Sequence, residues 1–192
     1  MNRIVLSGGV ILAASMASAT DLNFSGSADD AFVAYVSTNP NATGTSFVSG
    51  SSWGVTYTGN FTLTPGTTNY LHIDAFDVAG APSMLIAQLG LSDSSFWFDD
   101  MTQSALSGDS NWSASLVGFG GATTPIIDEG VNGTSPWGSR PNIDPNAHFV
   151  WTDGNVSDHR YFTVQINTVP EPAALTVLGL GILPFLRQRK GR

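Results

Sequence analysis

Gly50-Ser51-Ser52-Trp53-Gly54 sets a serine between two glycines at the spacing of a nucleophile elbow. An elbow holds its serine strained between a strand and a helix, above a parallel sheet and within reach of a histidine. His72, His148 and His159 are the histidines on offer, but a threonine-rich, strand-like run follows Gly54, so the required helix is not encoded. Glycoside hydrolysis needs two opposed carboxylates. Glu129 is the one glutamate ahead of the C-terminal tail, and a pair would lean on Asp99, Asp100 or Asp128, none of which the spacing selects. Gly118-Phe119-Gly120-Gly121 fails the dinucleotide pattern at Thr123 and lacks a βαβ setting. No catalytic residue is expected.

Metal chemistry has a better supply of oxygen. Asp153-Gly154-Asn155-Val156-Ser157-Asp158 opens like a calcium loop, yet has neither the glycine at its sixth position nor the glutamate at its twelfth. A looser structural calcium site would draw on Asp29, Asp30, Asp74, Asp77 or Asp158. The competing use of these aspartates is in turns and solvated edges. With no cysteine in the chain, disulfides, zinc–thiolate sites and thiol nucleophiles are excluded.

Five tryptophans, Trp53, Trp97, Trp112, Trp137 and Trp151, suit sugar recognition, in which an indole face lies on a pyranose ring and Asp, Asn or Arg bonds its hydroxyls. Trp137, with Arg140 and Asn142, is the candidate glycan-binding group, because its loop is polar and stiffened by Pro136 and Pro141. A packed structural tryptophan is the alternative there. Trp151, inside a strand-like run, belongs to the core.

The elements that must position these residues are strands. Short β-rich runs alternate with Gly, Pro, Asn and Ser clusters, the pattern of an antiparallel β-sandwich over residues 20–168. Runs are expected at Ala31 to Ser37, Trp53 to Leu63, Asn69 to Phe76, Ser83 to Leu91, Ser95 to Phe98, Trp112 to Phe119, Ala147 to Thr152 and Arg160 to Asn167. In the third, Leu71, Ile73 and Ala75 share one face, and Tyr70, His72, Asp74 and Phe76 the other. Ser104 to Asn146 carries few strand signals beyond Trp112 to Phe119 and reads as a long functional or packed excursion.

The termini are of another kind. Residues 1–19 combine Arg3, an apolar run from Ile4 to Ala14 and the small-x-small sequence Ala17-Ser18-Ala19, a secretory signal peptide for a signal peptidase to remove. At the other end, Ala173 to Leu186 is an uncharged apolar segment of 14 residues, short against the roughly 20 of a comfortable span. Arg187, Arg189, Lys190 and Arg192 follow as a basic stop-transfer cluster, which puts the C-terminus in the cytoplasm and the domain across the inner membrane. Between the two ends, two arginines face fourteen acidic residues, a formal charge of −12 over residues 20–168. Phosphate-bearing partners want Lys and Arg, so nucleic acid is excluded as a partner.

Val169-Pro170-Glu171-Pro172, an apolar stretch carrying Leu178-Gly179-Leu180-Gly181, and the basic ending together resemble the PEP-CTERM sorting signal of Gram-negative bacteria. The resemblance covers residues 169–192 and departs mildly from the pattern at Pro184 and in the mixed ending Arg-Gln-Arg-Lys-Gly-Arg. It implies that an exosortase-like membrane peptidase recognises Pro170, Glu171 and Pro172 in bacteria that make exopolysaccharide. Two prolines around a glutamate also keep the stretch extended, as a peptidase cleft requires. Ala28-Asp29-Asp30-Ala31-Phe32, Leu63-Thr64-Pro65-Gly66, Tyr70 to Ala75, Pro136-Trp137-Gly138 and Ala147 to Trp151 resemble in pattern the galactose-binding-like jelly-roll domains of secreted proteins. That likeness implies a sandwich that offers an end or edge to a glycan, often with a structural calcium. The expected function is therefore a non-enzymatic exported protein, an inner-membrane intermediate first and then a component of the cell surface or extracellular matrix, associated with polysaccharide. A carbohydrate-binding module with a defined pocket is the second expectation and a secreted hydrolase the third.

Overall fold

The computed structural model describes residues 19–78, 80–152 and 158–169. The signal peptide up to residue 18, the sorting motif from Pro170, the apolar segment, the basic cluster and the Asp153 to Ser157 turn lie outside the described residues. Within them the chain is all-β, with thirteen strands and no helix. The strands are β1 (Asp21–Asp29), β2 (Ala31–Ser37), β3 (Thr45–Gly50), β4 (Tyr57–Thr62) and β5 (Asn69–Phe76). They continue with β6 (Met84–Leu91), β7 (Phe96–Phe98), β8 (Ser104–Leu106) and β9 (Trp112–Ser115). The last four are β10 (Thr123–Thr124), β11 (Ile127–Val131), β12 (His148–Trp151) and β13 (His159–Thr168).

They form two antiparallel sheets packed as a sandwich. The first runs β11-β12-β6-β1-β4, with β8 also on β6, and the second runs β10-β9-β13-β5-β2-β3, with β7 also on β13. Alternation decides which side chains go inward. Leu71, Ile73 and Ala75 of β5 and Phe162, Val164 and Ile166 of β13 are fully buried, in register as Phe162 opposite Ile73 and Val164 opposite Leu71. They meet Leu22, Phe24, Leu85, Leu89, Val150 and Trp151 from the other sheet. Each of the Leu, Ile, Val and Phe side chains contributes about 1.5–3 kcal/mol on leaving water.

Five strands escape the sequence patterning: β1, β3, β8, β10 and β11. In β1 the inward positions are Leu22, Phe24, Gly26 and Ala28. A Cβ on Gly26 would sit 2.4 Å from the Phe24 ring, so the glycine that hides the strand's period is what the aromatic ring needs beside it. β3 is short and half-exposed at the sheet edge, and little in it is apolar. The Ser104 to Asn146 stretch is not one excursion, because β8, β9, β10 and β11 all fall in it, each of two to five residues. β9 stops at Ser115, short of the expected Phe119, because the chain turns over the sheet through Gly118 and Gly120, both at positive φ (122° and 72°).

Candidate functional site

Trp137 is a core residue. Its indole is 4% exposed and packs at 4.9 Å on Phe149, in a second apolar cluster with Met84, Ile86, Ile143 and Ala147. Met84 and Ile86 point to the outer face of β6, so the loop carrying Trp137 roofs that face of the first sheet. The indole N–H donates to Asp29 Oδ2 at 3.1 Å. A ring covered in this way cannot offer its face to a sugar in solution, which corrects the expected platform. Asn142 is exposed, at φ 63°, and neither Trp137 nor Arg140 hydrogen-bonds its side chain. The three expected glycan residues therefore do not form one surface.

Arg140 is buried as well, at 8% exposure, and works as a clamp. Its guanidinium donates from Nη1 to the Trp53 carbonyl at 2.6 Å and from Nη2 to the Trp137 carbonyl, and it lies 5.5 Å over the Trp53 ring. Ser27 Oγ donates to the same Trp53 carbonyl at 2.8 Å. Asn132 closes the loop from below: its Oδ1 accepts the Arg140 N–H at 2.6 Å, and its Nδ2 reaches the carbonyls of Arg140, Ile143 and Asp144. The exposed tryptophan of this region is thus Trp53, at 43%.

The expected calcium set is not gathered either. Among the described residues no group of three or more His, Asp or Glu side chains is placed to hold a metal ion. Asp74 pairs with His159 Nδ1 at 2.7 Å, and Asp158 with Arg160 at 3.4 Å. Asp30 accepts from the Val78 N–H at 2.9 Å, while Asp77 accepts from the Gly80 N–H at 2.8 Å and from Ser83. These aspartates serve turn closure and ion pairs instead, and among the described residues they are not brought together as one cation site. Asp29, Asp30 and Asp77 do feel one another. Burial pushes Asp29 up to about 6, with Asp30 and Asp77 adding to the rise and the Trp137 N–H opposing it.

Ser52 lies in the exposed crossing from β3 in one sheet to β4 in the other, with no helix after it. None of the three histidines hydrogen-bonds it: His72 Nδ1 contacts Thr163 Oγ1, His148 contacts Asp128, and His159 contacts Asp74. The nucleophile-elbow geometry is absent at this serine.

Two clefts flank the β9–β10 hairpin. One, of about 340 Å³, opens at the mouth between the sheets, where the Asp128–His148 pair (2.8 Å) stands on its rim. That hydrogen bond holds the Asp128 carboxyl below its usual range. The other, of about 290 Å³, lies on the outer face of the second sheet beneath the Gly118 to Gly121 loop. Its floor is Tyr70 of β5 with Tyr161, Thr163 and Gln165 of β13, the outward positions that alternate with the buried core. Asp99 stands at its border. Along the floor Gln165 Nε2 donates to Asn167 Oδ1 at 2.7 Å, and Asn167 Nδ2 donates to Asp99 Oδ1 at 2.7 Å. The roof is pinned by Phe119, which stacks on His72 at 4.3 Å and meets Tyr161 edge-on at 5.2 Å. The sequence did carry a signal for this floor: polar and aromatic residues at every second position of two strands whose other face is apolar.

No protein-family model, curated protein or solved structure matches the chain.

Proposed function

We propose that the chain is an exported, non-enzymatic surface or matrix protein that an exosortase-like membrane peptidase sorts at Val169-Pro170-Glu171-Pro172 and that then associates with extracellular polysaccharide. The observation that carries this reading is the order of three signals at one end: a Pro-Glu-Pro motif, a short apolar segment and a basic cluster. An N-terminal signal peptide agrees with them on topology. The fold adds support at the junction. β13 ends at Thr168, and the Val169 N–H donates to the Ser95 carbonyl at 2.9 Å, so the motif follows directly on the last framework residue. A jelly-roll of the galactose-binding-like kind is the finer fold that accompanies this reading. The route runs from an inner-membrane intermediate to the surface or matrix of a Gram-negative cell.

Mass spectrometry of the mature protein tests the proposal. A C-terminus at or beside residues 169–172, without the basic cluster, is expected. Mature protein in the medium that retains residues 169–192 intact would overturn it.

A further inference from the structure

We propose that the cleft on the outer face of the second sheet, bordered by Tyr70, Gln165 and Asp99, binds a neutral hexose unit of a polysaccharide; this rests on the polysaccharide association proposed above. The polar floor is set before any ligand arrives. A carboxylate accepts only, so Asp99 fixes the Asn167 amide with its NH₂ toward it. The Asn167 oxygen then faces the Gln165 NH₂, which leaves Gln165 Oε1 as an acceptor in the cleft. Ligand hydroxyls can donate to that oxygen. The phenols of Tyr70 and Tyr161, which line the cleft, supply donors in return.

Shape and charge narrow the ligand. At about 290 Å³, the cleft sits at the small end of the ~300–1,000 Å³ typical of ligand sites, room for a single ring. Tyrosine rings on its floor give the apolar C–H face of a sugar a surface to lie on. No Lys, Arg or His lines it, so uronate, sulfate and phosphate groups find no counter-charge, and the acidic surface repels them. The roof is held by Phe119 on His72, so little ordering remains to be done on binding.

Affinity electrophoresis of the exported protein through gels containing dextran, mannan, galactan or polygalacturonate tests the site. Retardation by at least one neutral polysaccharide and not by polygalacturonate is expected. Gln165→Leu and Tyr70→Ala should each weaken it about tenfold, and Trp53→Ala should leave it unchanged. Gln165→Leu replaces a half-exposed side chain, so it reports on binding even if Tyr70→Ala folds poorly; Tyr70→Phe is the second check. Retardation that survives Gln165→Leu and Tyr70→Phe, or that falls with Trp53→Ala, places the glycan elsewhere and overturns this site while polysaccharide association stands. Retardation by polygalacturonate alone overturns the ligand class. No retardation in any gel sinks both the site and the association, and leaves the sorting proposal to the C-terminal mass.

Discussion

Trp137 and Asp29, 108 residues apart, are joined by a 3.1 Å hydrogen bond from the indole N–H to the carboxylate. It ties the loop that roofs the outer face of the first sheet to the end of that sheet's β1. Removing the ring empties a cluster of Met84, Ile86, Ile143 and Phe149. Trp137→Ala is expected to cost about 3–5 kcal/mol. Trp137→Phe, which keeps most of the packing and loses the donor, should cost about 1–3 kcal/mol. Denaturant unfolding measures both, and glycan retardation of the folded fraction should not change.

Asp29 makes stability fall with rising pH. Its folded-state value is raised from 3.8 to about 6, chiefly by burial, so the folded protein binds the proton more tightly than the unfolded chain does. The contribution is complete below about 3.8 and is lost as pH rises through about 6. Asp29→Asn should remove this slope, so the wild type should gain stability relative to the variant as pH falls from 7 to 4. A difference that is flat over that range would contradict the assignment.

His72 acts in the opposite sense over part of the same window. It is fully buried under Phe119, with Nδ1 at 2.9 Å from Thr163 Oγ1, and burial pulls its value below 6.5. The unfolded chain therefore takes up the proton first. The stabilisation is complete above 6.5 and is lost as pH falls through that value toward the folded one. His72→Gln should flatten this loss, and the double variant with Asp29→Asn should show neither slope. Thermal unfolding between pH 7 and 4.5 separates the two.

These residues also show what the sequence made legible. β2 and β5 fall where alternation put them, and the burial of Leu71, Ile73 and Ala75 follows directly from period two. Gly26 concealed β1, because the missing side chain there answers a contact with Phe24 that no local pattern reveals. Trp137 looked like an exposed loop residue because Pro, Gly, Asn and Arg surround it. The signal against that was remote: Met84 to Ala87 are buried without interruption, which requires something to cover the outer face of β6. Nothing within residues 135–142 says that they are the cover. The tyrosine cleft was half legible, since Tyr70 and Gln165 stand at outward positions, but Asp99 and the Gly118 to Gly121 roof reach it only through tertiary packing.

Arg140 joins two carbonyls on separate segments, so its loss should be felt at Trp53 as well as in overall stability. The Trp53 carbonyl keeps the Ser27 hydroxyl, whereas the Trp137 carbonyl loses its Nη2 donor. Arg140→Leu is expected to cost about 1–3 kcal/mol for that orphaned acceptor. It also removes the guanidinium over the indole, worth about 0.5–1 kcal/mol at an exposed ring. Unfolding gives the sum. Iodide quenching of tryptophan fluorescence, compared with Trp53→Phe in the same background, shows whether Trp53 has been freed.

The roof of the tyrosine cleft gives a test that leaves the core untouched. Gly120 sits at φ 72°, where a side chain is strained, and a Cβ there would come within 1.8 Å of Asn41 Oδ1 and 3.0 Å of the Asn41 Cα. The backbone contact cannot be relieved by a rotamer change, and alanine is strained at this φ, so Gly120→Ala is expected to shift and loosen the Gly118 to Gly121 loop against the Asn41 segment. Phe119 would then lose its seat on His72, and the cleft its roof. Hydrogen exchange should speed up in residues 116–121 while β5 and β13 keep their protection, because core strands open only with global unfolding. Protection lost from β13 as well would show that the loop is part of the sandwich's own stability rather than a cover laid upon it.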